Sequence, residues 1–70
     1  MTVLENTIKV QRAIKGVTQE ELAAAVGVTR KTINTIEKGH YVPSTVLALR
    51  LARYFGIKVE ELFRLVERAE

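Results

Sequence analysis

Seventy residues make one small domain, too short to divide in two and able to bury only about 60% of its unfolded surface. With 47% hydrophobic and 27% charged residues, the composition is that of a globular domain and not of a disordered one. The absence of cysteine excludes a disulfide framework, a thiolate zinc site and a cysteine nucleophile, and one histidine, His40, is too few for an imidazole metal site.

The sequence predicts no metal and no cofactor. Met1 to Glu5 lacks the basic and apolar regions of a secretory signal, and no apolar stretch reaches the length of a membrane span. The expectation is a soluble, cytoplasmic chain without a membrane partner.

The net charge of +3 is unevenly spread. Residues 1–27 balance, residues 28–58 carry +5, and residues 59–70 carry −2. A basic middle third suits an acidic partner such as a phosphate backbone, although a solvated charged face would read the same way.

Gly16, Gly27, Gly39, Pro43 and Gly56 cut the chain into five pieces of helical composition. The first, about Asn6 to Lys15, places Ile8, Val10, Ala13 and Ile14 on a broad apolar surface and stops at Gly16. The second opens on Thr18-Gln19-Glu20-Glu21, the pattern of a capping box, and buries Leu22, Ala23 and Val26. The third starts from Thr29 as N-cap and runs to about Lys38. The fourth starts from Ser44 and buries Leu47, Ala48, Leu51, Ala52 and Phe55. The fifth, about Lys58 to Arg68, buries Val59, Leu62, Phe63 and Val66. Five short helices predict an all-α fold in a single domain over residues 1–70.

The informative stretch lies between Thr18 and Lys38. Only Gly27-Val28-Thr29 joins its two helices, and three residues cannot bring the chain back antiparallel, so the helices must cross steeply. That geometry fits a helix-turn-helix better than an ordinary αα-hairpin. On a wheel of about 100° per residue, Ile33 and Ile36 mark the inward face of the third helix. Lys31, Asn34, Thr35 and Lys38 form a polar stripe opposite, without a carboxylate, and Arg30 flanks it. In a major groove, Arg and Lys suit guanine or phosphate, Asn suits adenine, and Thr suits a thymine methyl. Any amphipathic helix has a solvated face, but such faces usually mix charge signs.

Glu37 falls nearer the inward face, where a carboxylate needs a cation. Arg12 on the first helix is the expected partner, with a solvated Glu37 as the alternative.

The strings Thr18-Gln19-Glu20-Glu21-Leu22-Ala23, Gly27-Val28-Thr29-Arg30, Thr32-Ile33, Ile36-Glu37-Lys38-Gly39 and Pro43-Ser44 carry a resemblance. They resemble the phage-repressor-type (Cro/C1, XRE-like) helix-turn-helix regulators over about Ile8 to Val66, nearly the whole chain. The resemblance implies a five-helix, lambda-repressor-like DNA-binding domain. It implies base contacts from Arg30, Lys31, Thr32 and Thr35, with Asn34 near the groove. It implies phosphate contacts at Gln19, with Thr18 beside it, and in the loop carrying His40 and Tyr41. It also implies the Arg12–Glu37 pair. Lys38, at the far end of the recognition helix, is expected on phosphate. Gln11 and Thr45 depart from the family, many members of which carry leucine at both places.

The last piece has more apolar surface than one face needs. Leu62, Leu65, Val66 and Ala69 are expected to form a homodimer interface, while Val3, Leu4 and Val46 have no evident partners. A disordered tail after Val66 is the alternative. The function these features imply is a sequence-specific double-stranded-DNA-binding regulator, a repressor more readily than an activator, working as a homodimer on a two-fold operator. An antitoxin or other protein-interaction module of the same fold is the competing reading. No constellation supports an enzyme: Glu20/Glu21 and Glu60/Glu61 are sequential and diverge on a helix, and no histidine is placed to activate Ser44.

Overall fold

A computed structural model describes residues 1–69. The order is β1 (Thr2–Asn6), α1 (Ile8–Lys15), α2 (Gln19–Val26), α3 (Arg30–Glu37), α4 (Thr45–Phe55), α5 (Val59–Leu62) and β2 (Phe63–Glu67). The five helices are present, but the all-α expectation needs correcting. The two ends of the chain pair as an antiparallel ribbon, with Val3 opposite Val66 and Leu4 opposite Leu65. The expected fifth helix therefore stops at Leu62, and its second half is β2.

The cause lies far away in sequence. Phe63 to Glu67 fits either period when read alone, since short apolar runs do not separate helix from strand. Val3 and Leu4 supply the strand partner, and the ribbon also closes through reciprocal bonds between Met1 and Arg68. Glu5 fastens one face, accepting from Arg64 at 3.0 Å and from Arg68 at 2.5 Å.

The core comprises Ile8, Leu22, Ala23, Val26, Ile33, Ile36, Leu47, Leu51, Ala52, Leu62 and Phe63. Ala48, Phe55 and Val59 pack against it from partly buried positions. The first helix is turned differently from expectation. Ile8 is buried, whereas Val10, Ala13 and Ile14 face outward, Ile14 at 75% exposure. Ile8 and Arg12 are one helical turn apart and share a side, so the Arg12–Glu37 pair brings Ile8 inward and turns the other three out. Lys15, on the same side, lies 4.8 Å from the ring centre of Tyr54.

Asn6 anchors the ribbon to the helices. Its amide nitrogen donates to the carbonyl of Ile36 near the end of α3, and its Oδ1 accepts from the Ile8 amide at the start of α1.

Candidate nucleic-acid interface

The two motif helices are set by their ends. Thr18 caps α2 in a reciprocal box: its hydroxyl accepts from the Glu21 amide, and the Glu21 carboxylate accepts from the Thr18 amide, each at 3.0 Å. Gly27 leaves α2 at φ 78°, a conformation that side chains strain to adopt, and its amide donates back to Ala23. Thr29 caps α3 by accepting from the Thr32 amide. Ile33 and Ile36 then pin α3 in the core, as the wheel requires.

The opposite face is thereby held outward. Arg30, Lys31 and Lys38 are exposed, while Thr32, Asn34 and Thr35 are half-buried. The Thr35 hydroxyl shares its one hydrogen between the carbonyls of Lys31 and Thr32, which leaves the side chain its methyl and an acceptor oxygen but no donor. After α3, the His40 amide returns to the Thr35 carbonyl at 2.9 Å. His40 and Tyr41 consequently sit beside Lys31, Thr32 and Thr35, and with Thr29 they line a shallow depression of about 340 Å³. The loop and α3 form one surface.

Glu37, the only carboxylate of α3, is kept off that surface. Its side chain is 7% exposed. Arg12 grips it with two hydrogen bonds, Nε to Oε2 at 2.6 Å and Nη2 to Oε1 at 3.0 Å. Burial pushes the Glu37 pKa up, but hydrogen bonds from Arg12 and Gln19 and the charges of Arg12 and Lys9 outweigh it. The carboxyl is held below the usual glutamate value. The pair predicted from the wheel is present, and the outward face of α3 presents no negative charge.

Other expected residues stand as follows. Thr18 commits its oxygen to the cap but keeps a hydroxyl hydrogen. Gln19 turns inward, donating to Glu37 and to Asn34. Lys38 forms the C-cap of α3. The apolar set expected at the dimer surface is not one face. Leu62 is wholly buried in the core and is withdrawn from that set. Leu65 and Val66 point to opposite sides of the ribbon, because successive strand residues alternate. Leu65 is 74% exposed, Val66 is half-buried opposite Val3, and Ala69 is exposed beyond β2.

The helix-turn-helix family model matches residues 8–62, from the start of α1 to the end of α5. The chain belongs to the XRE-type helix-turn-helix family. It is 48% identical over 60 residues to an uncharacterised HTH-type transcriptional regulator of Methanocaldococcus jannaschii, covering 86% of this chain and 91% of the relative. A similarly named Bacillus subtilis protein is 48% identical over 64 residues, covering 91% of this chain and 97% of the relative. Among solved structures, the restriction-modification controller protein C.AhdI from Aeromonas hydrophila matches with a TM-score of 0.71 and 33% identity. That alignment covers 77% of this chain and 78% of the other. The family is one of transcriptional regulators, not enzymes. Among the described residues of this XRE-type chain, no helix is long and apolar enough to cross a membrane.

Sequence reasoning missed the bond between Gln19 and Asn34. Glu37 lies near the inward face and Asn34 is its i−3 neighbour on the polar side, and that adjacency was the available signal.

Proposed function

We propose that this chain is a sequence-specific, double-stranded-DNA-binding transcriptional regulator that inserts α3 into the major groove. One observation carries the reading: α3 projects from a three-residue turn with its single carboxylate sequestered by Arg12, so its outward face holds only cations and neutral side chains. In that pose Arg30, Lys31, Thr32, Asn34 and Thr35 face base edges, while Thr18, Gln19, Lys38, His40 and Tyr41 lie toward the phosphates. The kinship with HTH-type regulators and a controller protein supports the same reading.

The regulator acts as a homodimer on a two-fold operator, one recognition helix per half-site, with half-sites about one helical turn apart. Repression by occupying a promoter needs no further domain. Leu65 is the exposed apolar residue left to carry the dimer contact on the ribbon.

Selection of bound sequences from a random DNA pool tests the proposal. The expected result is a two-fold-symmetric consensus. Recovery of unenriched DNA would leave a protein-interaction module, such as an antitoxin, as the better reading.

A further inference from the structure

We infer that two copies of this chain join along the free edge of β2, in an antiparallel register that sets Leu65 opposite the partner's Leu65. The inference rests on the homodimer reading above and goes further by assigning the contact to main-chain bonds in a four-stranded sheet.

A ribbon of two strands has two edges, and its own bonding decides which groups each edge presents. In an antiparallel pair, facing residues alternate between exchanging both main-chain bonds and exchanging none. The Thr7 amide donates to the Leu62 carbonyl, and the Arg68 amide donates to the Met1 carbonyl. Those bonds fix the alternation. Val3 with Val66 and Glu5 with Arg64 are the bonded pairs, whereas Leu4 with Leu65 and Thr2 with Glu67 exchange none. The amides and carbonyls of Leu65 and Glu67 therefore point away from β1, out of the ribbon. The Phe63 carbonyl points the same way, while its amide donates to Val59.

The two edges differ in their surroundings. β1 runs beside the loop after α3, where Thr2 and Leu4 line one cleft with Tyr41, Val42 and Pro43. On β2, Leu65 is 74% exposed and Glu67 is exposed two positions on. Natural edge strands are guarded by proline, lysine or a bulge, and Phe63 to Glu67 has none of these. An unguarded edge with an exposed leucine is a template for another strand.

The edge is complementary to itself in one register. A two-fold axis through Arg64 or through Glu67 would set like charges directly opposite. An axis through Val66 would set Leu65 against the partner's Glu67. One through Phe63, where α5 ends, would lay the strand against a helix. An axis through Leu65 places leucine on leucine and Arg64 opposite the partner's Val66. Two main-chain bonds then join the leucines, and each Glu67 amide reaches the partner's Phe63 carbonyl. Pairing a strand with its own copy closes the assembly at a dimer. The sheet also sets the spacing of the two α3 helices, because Asn6 ties β1 to the Ile36 carbonyl.

The chain has no cysteine, so introduced cysteines report the register directly. Facing residues in such a ladder have Cα atoms about 4.5–5.5 Å apart, within reach of a disulfide. Diagonal neighbours, at about 7–8 Å, are not. Under mild oxidation, Leu65→Cys should form a covalent dimer about tenfold faster than Arg64→Cys or Val66→Cys alone. A mixture of the last two should link to each other. Faster linking of Arg64→Cys or Val66→Cys to itself would overturn the register.

A second arm asks whether the main chain makes the contact. Leu65→Pro removes an amide hydrogen that points out of the ribbon, so the ribbon keeps its own bonds. Leu65→Ala keeps the amide and removes the side chain. In sedimentation, with melting curves to check the fold, Leu65→Pro should weaken the dimer about tenfold more than Leu65→Ala, the value of the two lost bonds. Equal weakening would mean that side chains alone carry the contact, and would overturn the inference. If Leu65→Pro does not fold, the cross-links decide. A dimeric parent in which none of the three cysteines links overturns this inference alone, whereas a monomeric parent overturns the homodimer reading with it.

Discussion

Arg12 and Glu37, separated by 25 positions in sequence, close a two-pronged ion pair that ties α1 to the far end of α3. The pair does three things at once. It orients α1, it removes negative charge from the outward face of α3, and it gives Gln19 a fixed acceptor.

Its contribution to stability should depend on pH in a defined direction. The folded-state pKa of Glu37 is lowered, so the stabilisation is present above the ordinary glutamate value of about 4.3 and is lost as pH falls through the folded value. Arg12→Met should cost roughly 3 kcal/mol near neutrality, because it strands a buried carboxylate. In a domain this small, that is a fall in Tm of more than about 10 °C. Melting curves of the parent and of Glu37→Gln should be well separated at pH 7 and converge on acidification below about pH 4. A gap that persists to low pH would mean that the glutamate contributes through packing rather than charge.

The sequence announced α2, α3 and α4 clearly because each carries its own punctuation. Thr18, Thr29 and Ser44 cap, and Gly27 and Gly56 end their helices with left-handed residues. Local signals were enough there. They failed at α1, where Val10, Ala13 and Ile14 outnumber Ile8 as apolar residues yet face away from the core. The decisive residue was polar: Arg12 needed Glu37, and a hydrophobic wheel does not count ion pairs. They failed again after Leu62, since Phe63 to Glu67 becomes a strand only when Val3 and Leu4 lie alongside. No window on one end of a chain contains the other. The outward face of α3 was largely legible, and the structure brings its Lys31 and Thr35 to one depression with His40 and Tyr41. The inward turn of Gln19 was not, because it depends on where the start of α2 meets the side of α3.

The terminal ribbon should be the first part of the molecule to open. A two-stranded ribbon is marginal by itself, and Glu5 holds this one by pairing with Arg64 and Arg68. Hydrogen bonds from Arg64, with those from Arg68 and both positive charges, outweigh desolvation and hold the Glu5 carboxyl below its ordinary value. Glu5→Ala should speed amide exchange across β1 and β2 while leaving α2 and α3 protected. The comparison to make is residue-level hydrogen exchange in parent and variant at neutral pH. Equal protection in the ribbon would show that backbone pairing and the Asn6 anchor suffice without the charges.

The proposed homodimer can be tested by a change that leaves the protomer alone. Leu65 is exposed, so Leu65→Lys should leave the melting temperature of the isolated fold nearly unchanged. If the ribbon carries the dimer contact, the variant should sediment as a monomer at concentrations where the parent is a dimer. Binding to a two-fold operator should then weaken at least tenfold, because the second half-site is no longer tethered to the first. A variant that remains dimeric places the contact elsewhere on the surface.

The last prediction separates recognition of sequence from attraction to charge. Lys38 stands at the C-terminal end of α3 and is exposed, away from the end expected to enter the groove. Lys31 lies in the first turn, where recognition helices read base edges, and Thr35 presents a methyl and an acceptor oxygen because its hydroxyl hydrogen is bonded to backbone carbonyls. Every DNA offers a phosphate, whereas a base edge offers its pattern only at the right sequence. Lys38→Ala should therefore weaken binding to operator and random DNA about equally, and reduce the magnitude of the salt slope by roughly 0.9. Lys31→Ala and Thr35→Ala should lose about 1–3 kcal/mol on the operator, with little change on random DNA. Titrations of both DNAs across a range of salt concentrations give all of these quantities. If the three variants lose affinity alike on both DNAs, the outward face of α3 is a generic basic surface. Recognition by a protein partner would then explain its shape better than recognition of a sequence.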